Sequence, residues 1–401
     1  MKLHIKGKPK EPSKRNHVPV LTSKKDRRDI DDLCVAQSIA KHTGTIWSMK
    51  FSHDGARLAS GGQDAILRVW KVAISSNEDS VSSARLENGE KCIIEPEPEQ
   101  SYQGHTMPIV DVSWSRSNFI LSASMDKTVR LWHISRSDCL HVFQHPDSVP
   151  AVDFHPKEDR YFLSGCFDNK ARVWDIPEGC VVSYVQTPAM ITAASFNPSG
   201  TRAIVGLLNG QCIFYQVNSL QQMTYYTQIE CRNSRGPMKK GRKVTGIEFD
   251  PEGKYFLVST NDSRMRLFSV DNYSRICKYK GLVNDHLQIK GRFSQDGDFV
   301  ICGSENGQVF IWNKASFMPS MSLMKSMKQD RNASYEHFCA AEPPSGIVTV
   351  ALFAPASTFA MVKSKLEADG DDARTNPCTG LIVSASYDGC IKFFERLPRA
   401  S

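Results

Sequence analysis

The chain has 401 residues, of which 40% are hydrophobic and 23% charged, a composition that provides a large apolar core and excludes disorder of the whole chain. Residues 1–32 contain ten Lys and Arg against five Asp and Glu, so this stretch alone supplies +5 of the formal net charge of +7. The rest of the chain is nearly neutral, which excludes a globally basic surface of the kind that binds nucleic acid. No specific nucleic-acid partner is therefore expected.

Residues 1–32 are basic and polar, which predicts a flexible tail. The chain begins without the apolar segment of a secretory leader, and its twelve cysteines include no C-x-x-C pair. These features favour reduced thiols and a cytoplasmic location. Because the tail is basic, peripheral contact with anionic membrane is a further expectation.

A repeated pattern of apolar runs and polar turns follows from residue 42 onwards. Each copy closes on an aromatic residue, and an Asp or Asn six residues earlier is typical of a tight turn between two strands. Seven copies predict seven four-stranded blades, and residues 33–40 are expected to close the ring by pairing with the last blade. The closing aromatics are Trp70, Trp132, Trp174, Tyr215, Phe268, Trp312 and Phe394.

The copies resemble WD repeats, with Gly104-His105 as an opening pair and Trp174-Asp175 as a closing pair. The resemblance covers roughly residues 33–396 and implies an all-β, seven-bladed WD-repeat β-propeller. The stretch from Ala36 to Trp70 and the turn at residues 261–264 further resemble the propeller of WD-repeat effectors of recycling-endosome Rab GTPases. In that family the Rab-contacting region precedes the propeller, and only about 32 residues do so here, so the resemblance speaks for kinship rather than for Rab binding.

His42, Ser60 and Asp64 are the residue types of a hydrolase triad, yet the same trio recurs in the next two copies. An enzyme builds its nucleophile once, whereas a buried turn carboxylate needs donors in every blade. WD-repeat families carry His, Ser, Asp and Trp as a structural tetrad. The matching residues are His42, Ser60, Asp64 and Trp70; His105, Ser122, Asp126 and Trp132; and His145, Ser164, Asp168 and Trp174. With no phosphate loop, metal-ligand spacing or dinucleotide turn, neither catalysis nor a metal or cofactor is predicted.

One face of the propeller, called the top face, carries the loops between blades and the turn between the second and third strands of each blade. WD-repeat proteins contact partners there, and carrying those positions over gives an apolar arc from blade 7 through blade 4. The positions carried over in these blades are Thr45, Trp47 and Gln63; Pro108, Val110 and Met125; Ser148, Pro150 and Phe167; Met190, Thr192 and Leu208; and Ile347, Thr349 and Tyr387. Apolar and aromatic surface of this kind is typical of protein contacts, although the side chains could also fold over the channel mouth. The candidate partner-binding residues are Trp47, Val110, Met125, Pro150, Phe167, Met190, Leu208 and Tyr387.

The same positions in blades 5 and 6 are polar, namely Lys243, Thr245, Asn261 and Glu305, while Leu287 and Ile289 leave the register of blade 6 in doubt. Before blade 5 lies a basic insertion, residues 231–243, which suits an acidic segment, a phosphorylated peptide or anionic lipid, or is a solvated loop. Its cations are Arg232, Arg235, Lys239, Lys240, Arg242 and Lys243.

Three other insertions, residues 72–100, 313–334 and 356–379, interrupt the propeller, which spans 33–396 and precedes a short tail at 397–401. The first and third are acidic, are expected on the bottom face and are predicted to be disordered. The second carries methionines that are expected to pack on a neighbouring blade.

The sequence therefore predicts a non-catalytic scaffold or adaptor that binds a peptide or folded protein at its top face. One alternative is a membrane-traffic effector that acts with a small Rab-type GTPase on endosomal or Golgi membranes. Another is the substrate receptor of a ubiquitin ligase.

Overall fold

The computed structural model describes residues 17–23, 28–73, 91–218, 222–231, 242–314, 334–342, 346–363 and 377–397. Its strands form seven antiparallel sheets. The innermost strands of successive sheets contact one another, and the last contacts the first. The predicted seven-bladed propeller is thereby confirmed. No helix in these ranges has the length and apolar character of a membrane span.

Three strands precede the first blade, and four strands follow in each of blades 1 to 3. The first three are β1 (His17–Val18), β2 (Leu21–Thr22) and β3 (Leu33–Ala40). Blade 1 contains β4 (Ile46–Phe51), β5 (Arg57–Gly62), β6 (Leu67–Lys71) and β7 (Gln100–Tyr102). Blade 2 contains β8 (Ile109–Trp114), β9 (Phe119–Ser124), β10 (Thr128–His133) and β11 (His141–Gln144). Blade 3 contains β12 (Ala151–Phe154), β13 (Tyr161–Gly165), β14 (Lys170–Asp175) and β15 (Cys180–Gln186).

The remaining blades continue in chain order, and blade 7 includes the single helix of the described residues. Blade 4 contains β16 (Ile191–Phe196), β17 (Arg202–Leu207), β18 (Gln211–Asn218) and β19 (Gln222–Glu230). Blade 5 contains β20 (Val244–Phe249), β21 (Tyr255–Thr260), β22 (Arg264–Ser269) and β23 (Arg275–Tyr279). Blade 6 contains β24 (Arg292–Phe293), β25 (Phe299–Cys302), β26 (Gln308–Asn313) and β27 (Glu336–Cys339). Blade 7 contains β28 (Val348–Phe353), helix α1 (Ala356–Lys363), β29 (Leu381–Ser386) and β30 (Cys390–Arg396).

The turn between the second and third strands has the same backbone conformation in every blade. The residue after the turn Asp or Asn has a positive φ in all seven, from 55° at Ser263 to 86° at Gly210. Only three of these residues are glycine, so the turn geometry is imposed by the ladder on both sides rather than by glycine alone. The other members are Ala65, Lys127, Asn169, Gly307 and Gly389.

The ring closes as predicted, because β3 pairs with β30 from Leu33 opposite Arg396 to Ala40 opposite Cys390. The buried amide of Gln37 strengthens this joint by donating to the carbonyl of Ile94 at 2.8 Å and accepting from the backbone N–H of Ile93 at 2.9 Å. Residues 91–99 of the first acidic insertion are therefore ordered, contrary to the prediction of disorder. The cause is that Ile93 and Ile94 are buried in the core shared by blades 1 and 7.

The third insertion also departs from the prediction, since its first eight residues form α1. Thr358 donates its hydroxyl to the carbonyl of Gly55 in blade 1 at 2.6 Å, and the N–H of Ala356 donates to the side chain of Gln295 in blade 6 at 2.7 Å. The helix thus braces three blades at the bottom face. Residues 74–90, 315–333 and 364–376 of the predicted insertions lie outside the described residues.

The predicted flexible tail is structured in its second half. β1 pairs with β3 on the outer edge of blade 7, and β2 pairs with β27 on the outer edge of blade 6. After β2, the backbone N–H groups of Asp29 and Ile30 donate to the carboxylate of Glu336 on β27, at 2.5 and 2.8 Å. Val20 and Ile30 are buried beside these blades. Residues 17–23 and 28–32 therefore form a strap across two blades, called the N-terminal strap below.

Charged side chains meet inside the ring of inner strands. Lys290, which precedes the inner strand of blade 6, places its ammonium 2.6 Å from the carboxylate of Asp111 on the inner strand of blade 2. Blades 2 and 6 are not neighbours, so this ion pair crosses the centre of the ring. Gly246 leaves room for the crossing chain, because a Cβ there would lie 2.9 Å from the side chain of Lys290.

Candidate functional site

Blades 1 and 2 bring together all four residues of the predicted tetrad. In blade 2, His105 contacts Asp126 through Nδ1 and Ser122 through Nε2, both at 2.7 Å, and the indole N–H of Trp132 donates to the same serine at 2.8 Å. Blade 1 repeats this chain with separations of 2.7 to 3.0 Å. The repeated residues are His42, Ser60, Asp64 and Trp70.

Blade 3 retains half of this arrangement. Ser164 is held by His145 and by Trp174, each at 2.9 Å. Nδ1 of His145 faces the carbonyl of Phe143 at 3.1 Å instead of a carboxylate, and Asp168 pairs with Arg172. The predicted contact between His145 and Asp168 is therefore absent from this blade. An arginine at the same place does not by itself exclude the contact, because in blade 1 Asp64 pairs with both Arg68 and His42.

The electrostatics of the tetrads match a structural role. The pKa of Asp126 lies well below its usual range, since hydrogen bonds from His105 and Thr128 outweigh the effect of burial. Burial lowers the pKa of His145 to about 4, so its imidazole is neutral at physiological pH. Ser60, Ser122 and Ser164 are fully buried. Because each hydroxyl is engaged by both a histidine and a tryptophan, these trios offer no nucleophile to a substrate.

The top face is organised by a hydrogen bond that recurs in all seven blades. The backbone N–H of the residue before each turn Asp or Asn donates to a carbonyl in the loop that leads into the same blade, at 2.7 to 3.1 Å. In six blades the carbonyl belongs to the position that the sequence predicted. The donor and acceptor pairs are Gln63 and Thr45, Met125 and Pro108, Phe167 and Ser148, Leu208 and Met190, Asn261 and Lys243, Glu305 and Val283, and Tyr387 and Ile347.

In blade 4 this bond joins two of the apolar candidates, Met190 and Leu208. Met190, Leu208 and Tyr387 are 44 to 46% exposed. Trp47, Val110, Met125 and Phe167 are half-buried. Met107, at 48%, is exposed in the loop before blade 2, and sequence reasoning missed it because it lies one residue before the predicted contact position.

Pro150 and four threonines differ from the predicted exposure. Pro150 is buried where it leads into β12, so it offers no contact surface. The threonines fasten neighbouring blades, as Thr192 shows by donating to the carbonyl of Val244 at 2.6 Å. The hydroxyls of these threonines therefore form their hydrogen bonds within the ring. The others are Thr45, Thr245 and Thr349.

Blade 6 has the register that the sequence left in doubt. Its loop partner is Val283 rather than Leu287. The carboxylate of Glu305 accepts from three backbone N–H groups, those of Asp285, His286 and Leu287, at 2.8 to 3.0 Å. Glu305 therefore holds the loop that leads into blade 6 in place.

Two cations of the basic insertion belong to the described residues. Arg242 is exposed and Lys243 is half-buried, and burial lowers the pKa of Lys243 although Glu305 opposes the shift. Arg232, Arg235, Lys239 and Lys240 lie outside the described residues, as do the methionines of the second insertion.

Residues 34–71, 96–133, 137–175 and 283–313 match the model of the WD domain, G-beta repeat. WD repeat-containing protein 44 of Xenopus laevis is 37% identical to this chain over 91% of its length and 45% of that protein. An uncharacterized WD repeat-containing protein of Schizosaccharomyces pombe is 32% identical over 67% of the chain and 47% of that protein. The 2-deoxy-glucose resistant protein 2 of Saccharomyces cerevisiae is 27% identical over 68% and 39%. The chain spans less than half the length of each.

Proposed function

Because this chain belongs to the WD-repeat β-propeller family, we propose that it is a non-catalytic scaffold that binds a protein partner through the apolar part of its top face. The observation that carries the proposal is the set of exposed apolar side chains along the arc from blade 7 through blade 4. Met107 leads into blade 2, Met190 and Leu208 lie on blade 4, and Tyr387 lies on blade 7.

This surface combines fixed backbone with adaptable side chains. The recurring hydrogen bond fixes the main chain beneath each pair of residues, so little backbone entropy is lost on binding. Methionine side chains can then adjust to the partner, while tyrosine and tryptophan offer large apolar area at low entropic cost. The half-buried Trp47 and Phe167 extend the surface around the channel mouth.

The proposal is tested with the variant Met190→Ser, Leu208→Ser, Tyr387→Ser. These side chains are all exposed, so the fold should survive and the Tm should stay close to that of the wild type. The control variant, Tyr184→Ser, Tyr225→Ser, removes two exposed tyrosines from outer strands. Proteins captured by the full chain are identified by quantitative mass spectrometry. We expect at least tenfold less of the specific partner with the top-face variant and unchanged capture with the control.

Equal capture of the partner by both variants would show that the partner does not bind the apolar part of the top face. The same experiment bears on the alternative of a membrane-traffic effector, which draws on the resemblance described above and on the exposed Arg242. Capture that includes a small Rab-type GTPase only when GTP is supplied would favour that alternative.

A further inference from the structure

A cavity opens on the bottom face, where the inner strands of blades 1 to 4 end and turn back. It contains about 550 Å³ of space that is continuous with solvent. Its wall includes the last residue of each of the inner strands β4, β8, β12 and β16, and all four of these residues are aromatic. The cavity therefore has an apolar wall built by four neighbouring blades. The four residues are Phe51, Trp114, Phe154 and Phe196.

The two carboxylates that line the cavity are already engaged within the protein. Asp153 accepts hydrogen bonds from the hydroxyls of Ser113 and Ser195, at 3.2 and 3.0 Å. Asp159 accepts from two backbone N–H groups of the blade 2 loop, at 2.9 and 3.2 Å. Because these hydrogen bonds occupy the carboxylate oxygens, the cavity offers little to a cationic ligand.

The histidine in the wall is engaged as well. Nε2 of His155 lies 3.2 Å from the carbonyl oxygen of Gly200, and Nδ1 accepts from the backbone N–H of Glu158 at 3.1 Å. Burial lowers the pKa of His155, so its ring is neutral at physiological pH. These contacts hold the first loop of blade 3 and leave neither ring nitrogen to a ligand.

The cations around the cavity keep their donors available. Among the described residues, neither the guanidinium of Arg116 nor the imidazole of His53 forms a hydrogen bond or an ion pair, and both side chains are exposed. The ammonium of Lys50, 25% exposed, lies 3.6 Å from the carboxylate of Asp153, which is beyond hydrogen-bond distance. Arginine and lysine side chains can only donate. The unused hydrogen-bonding capacity of the cavity therefore matches a negatively charged acceptor.

We propose that this cavity binds a carboxylate attached to a bulky apolar group. Arg116, His53 and Lys50 surround the carboxylate, and the aromatic wall surrounds the apolar group. Charge-assisted hydrogen bonds from a guanidinium supply both strength and orientation. The volume falls within the range of about 300 to 1,000 Å³ that is typical of ligand pockets, which also combine an apolar lining with a few polar groups. The last residue of a polypeptide and a free apolar acid share this chemistry.

Fluorescence polarisation of the full chain with a labelled peptide tests the proposal. The probe is a short glycine and serine peptide that ends in phenylalanine, with the dye at its N-terminus. Its C-terminal amide lacks the charge, and the same peptide ending in glycine lacks the apolar group, so we expect a Kd at least tenfold larger for each. Competition with 3-phenylpropionate distinguishes the source. A Kd within threefold of that of the peptide identifies a free acid, and a larger Kd identifies a polypeptide C-terminus.

Two matched variants locate the binding site. The cavity variant is His53→Gln, Arg116→Gln. The control, His286→Gln, Arg136→Gln, removes the same residue types from exposed positions elsewhere. We expect the Kd of the phenylalanine peptide to rise at least tenfold in the cavity variant and to change less than twofold in the control. Since all four side chains are exposed, both variants should keep the Tm of the wild type. Arg116→Gln alone serves if the cavity variant is unstable, and it should also weaken binding.

The outcome is independent of the function proposed for the top face. The variant with serine at Met190, Leu208 and Tyr387 should bind the phenylalanine peptide as the wild type does, so each proposal can fail alone. Absence of saturable binding of both the peptide and 3-phenylpropionate to the wild type overturns the proposal. Equal affinity for the acid and amide peptides, or equal loss in the cavity and control variants, overturns it as well.

Discussion

The left-handed residue of each turn shows how strongly a single backbone position is constrained. Lys127 has φ of 69° and Gly210 has φ of 86° at equivalent places in blades 2 and 4. A residue with a side chain loses about 1 to 2 kcal/mol of stability at such a φ. Glycine adopts this φ freely, but it loses more backbone entropy than other residues when the chain folds. Replacing the side chain and replacing the glycine should therefore have opposite effects.

We expect Lys127→Gly to raise the free energy of unfolding by up to about 1 kcal/mol, and Gly210→Ala to lower it by about 1 kcal/mol. Lys127 is exposed, so its removal leaves no cavity. Urea denaturation of both variants measures the difference. Changes of the same sign would show that side-chain contacts, rather than φ, decide stability at these turns.

The histidine of blade 3 predicts a pH dependence. Its pKa is about 4 in the folded chain and about 6.5 when unfolded, so the unfolded state binds the proton more readily. The contribution of His145 to stability is complete above pH 6.5 and is lost as the pH falls towards 4. Between pH 7 and pH 5 the loss amounts to about 2 kcal/mol from this group.

His145→Gln removes the titrating group while keeping a polar side chain near Ser164. The free energy of unfolding of this variant, measured from pH 7 to pH 5, should fall about 2 kcal/mol less than that of the wild type. Parallel curves for the two proteins would mean that the pKa of His145 is the same in the folded and the unfolded chain.

Among the elements, the N-terminal strap has a larger role than its two-residue strands suggest. Its removal exposes the edges of β3 and β27 and leaves the Glu336 carboxylate without its two backbone donors. Stranding a buried carboxylate in this way costs roughly 1 to 3 kcal/mol. Open strand edges also invite aggregation.

Deletion of residues 1–32 should therefore lower the Tm and promote aggregation, measured by calorimetry and light scattering. Deletion of residues 1–16 removes none of the described contacts and should leave the Tm unchanged, so it serves as the control. Identical melting of the two truncated proteins would show that the strap adds nothing to stability.

At the level of the whole molecule, the ring was predictable because its signals are local and repeated. A turn aspartate and a closing aromatic recur at fixed spacing, and each pair specifies one strand connection. The strap was not predictable, because two-residue strands carry no periodicity. The register of blade 6 stayed in doubt because its loop is long and its inner strand is short, so that Leu287 and Ile289 offered a second apolar pattern. Exposure at the top face depended on neighbouring blades, which is why Pro150 and the threonines were misjudged.

The ion pair between Lys290 and Asp111 has a mechanical consequence. A ring of separate sheets yields most easily by flattening into an ellipse, which needs only small rotations at each seam. A tie along one diameter resists elongation in that direction, and a buried pair of this kind is costly to break from one side. The distance between blades 2 and 6 is thereby held. Any change in the width of the ring along this diameter must therefore stretch or break the pair.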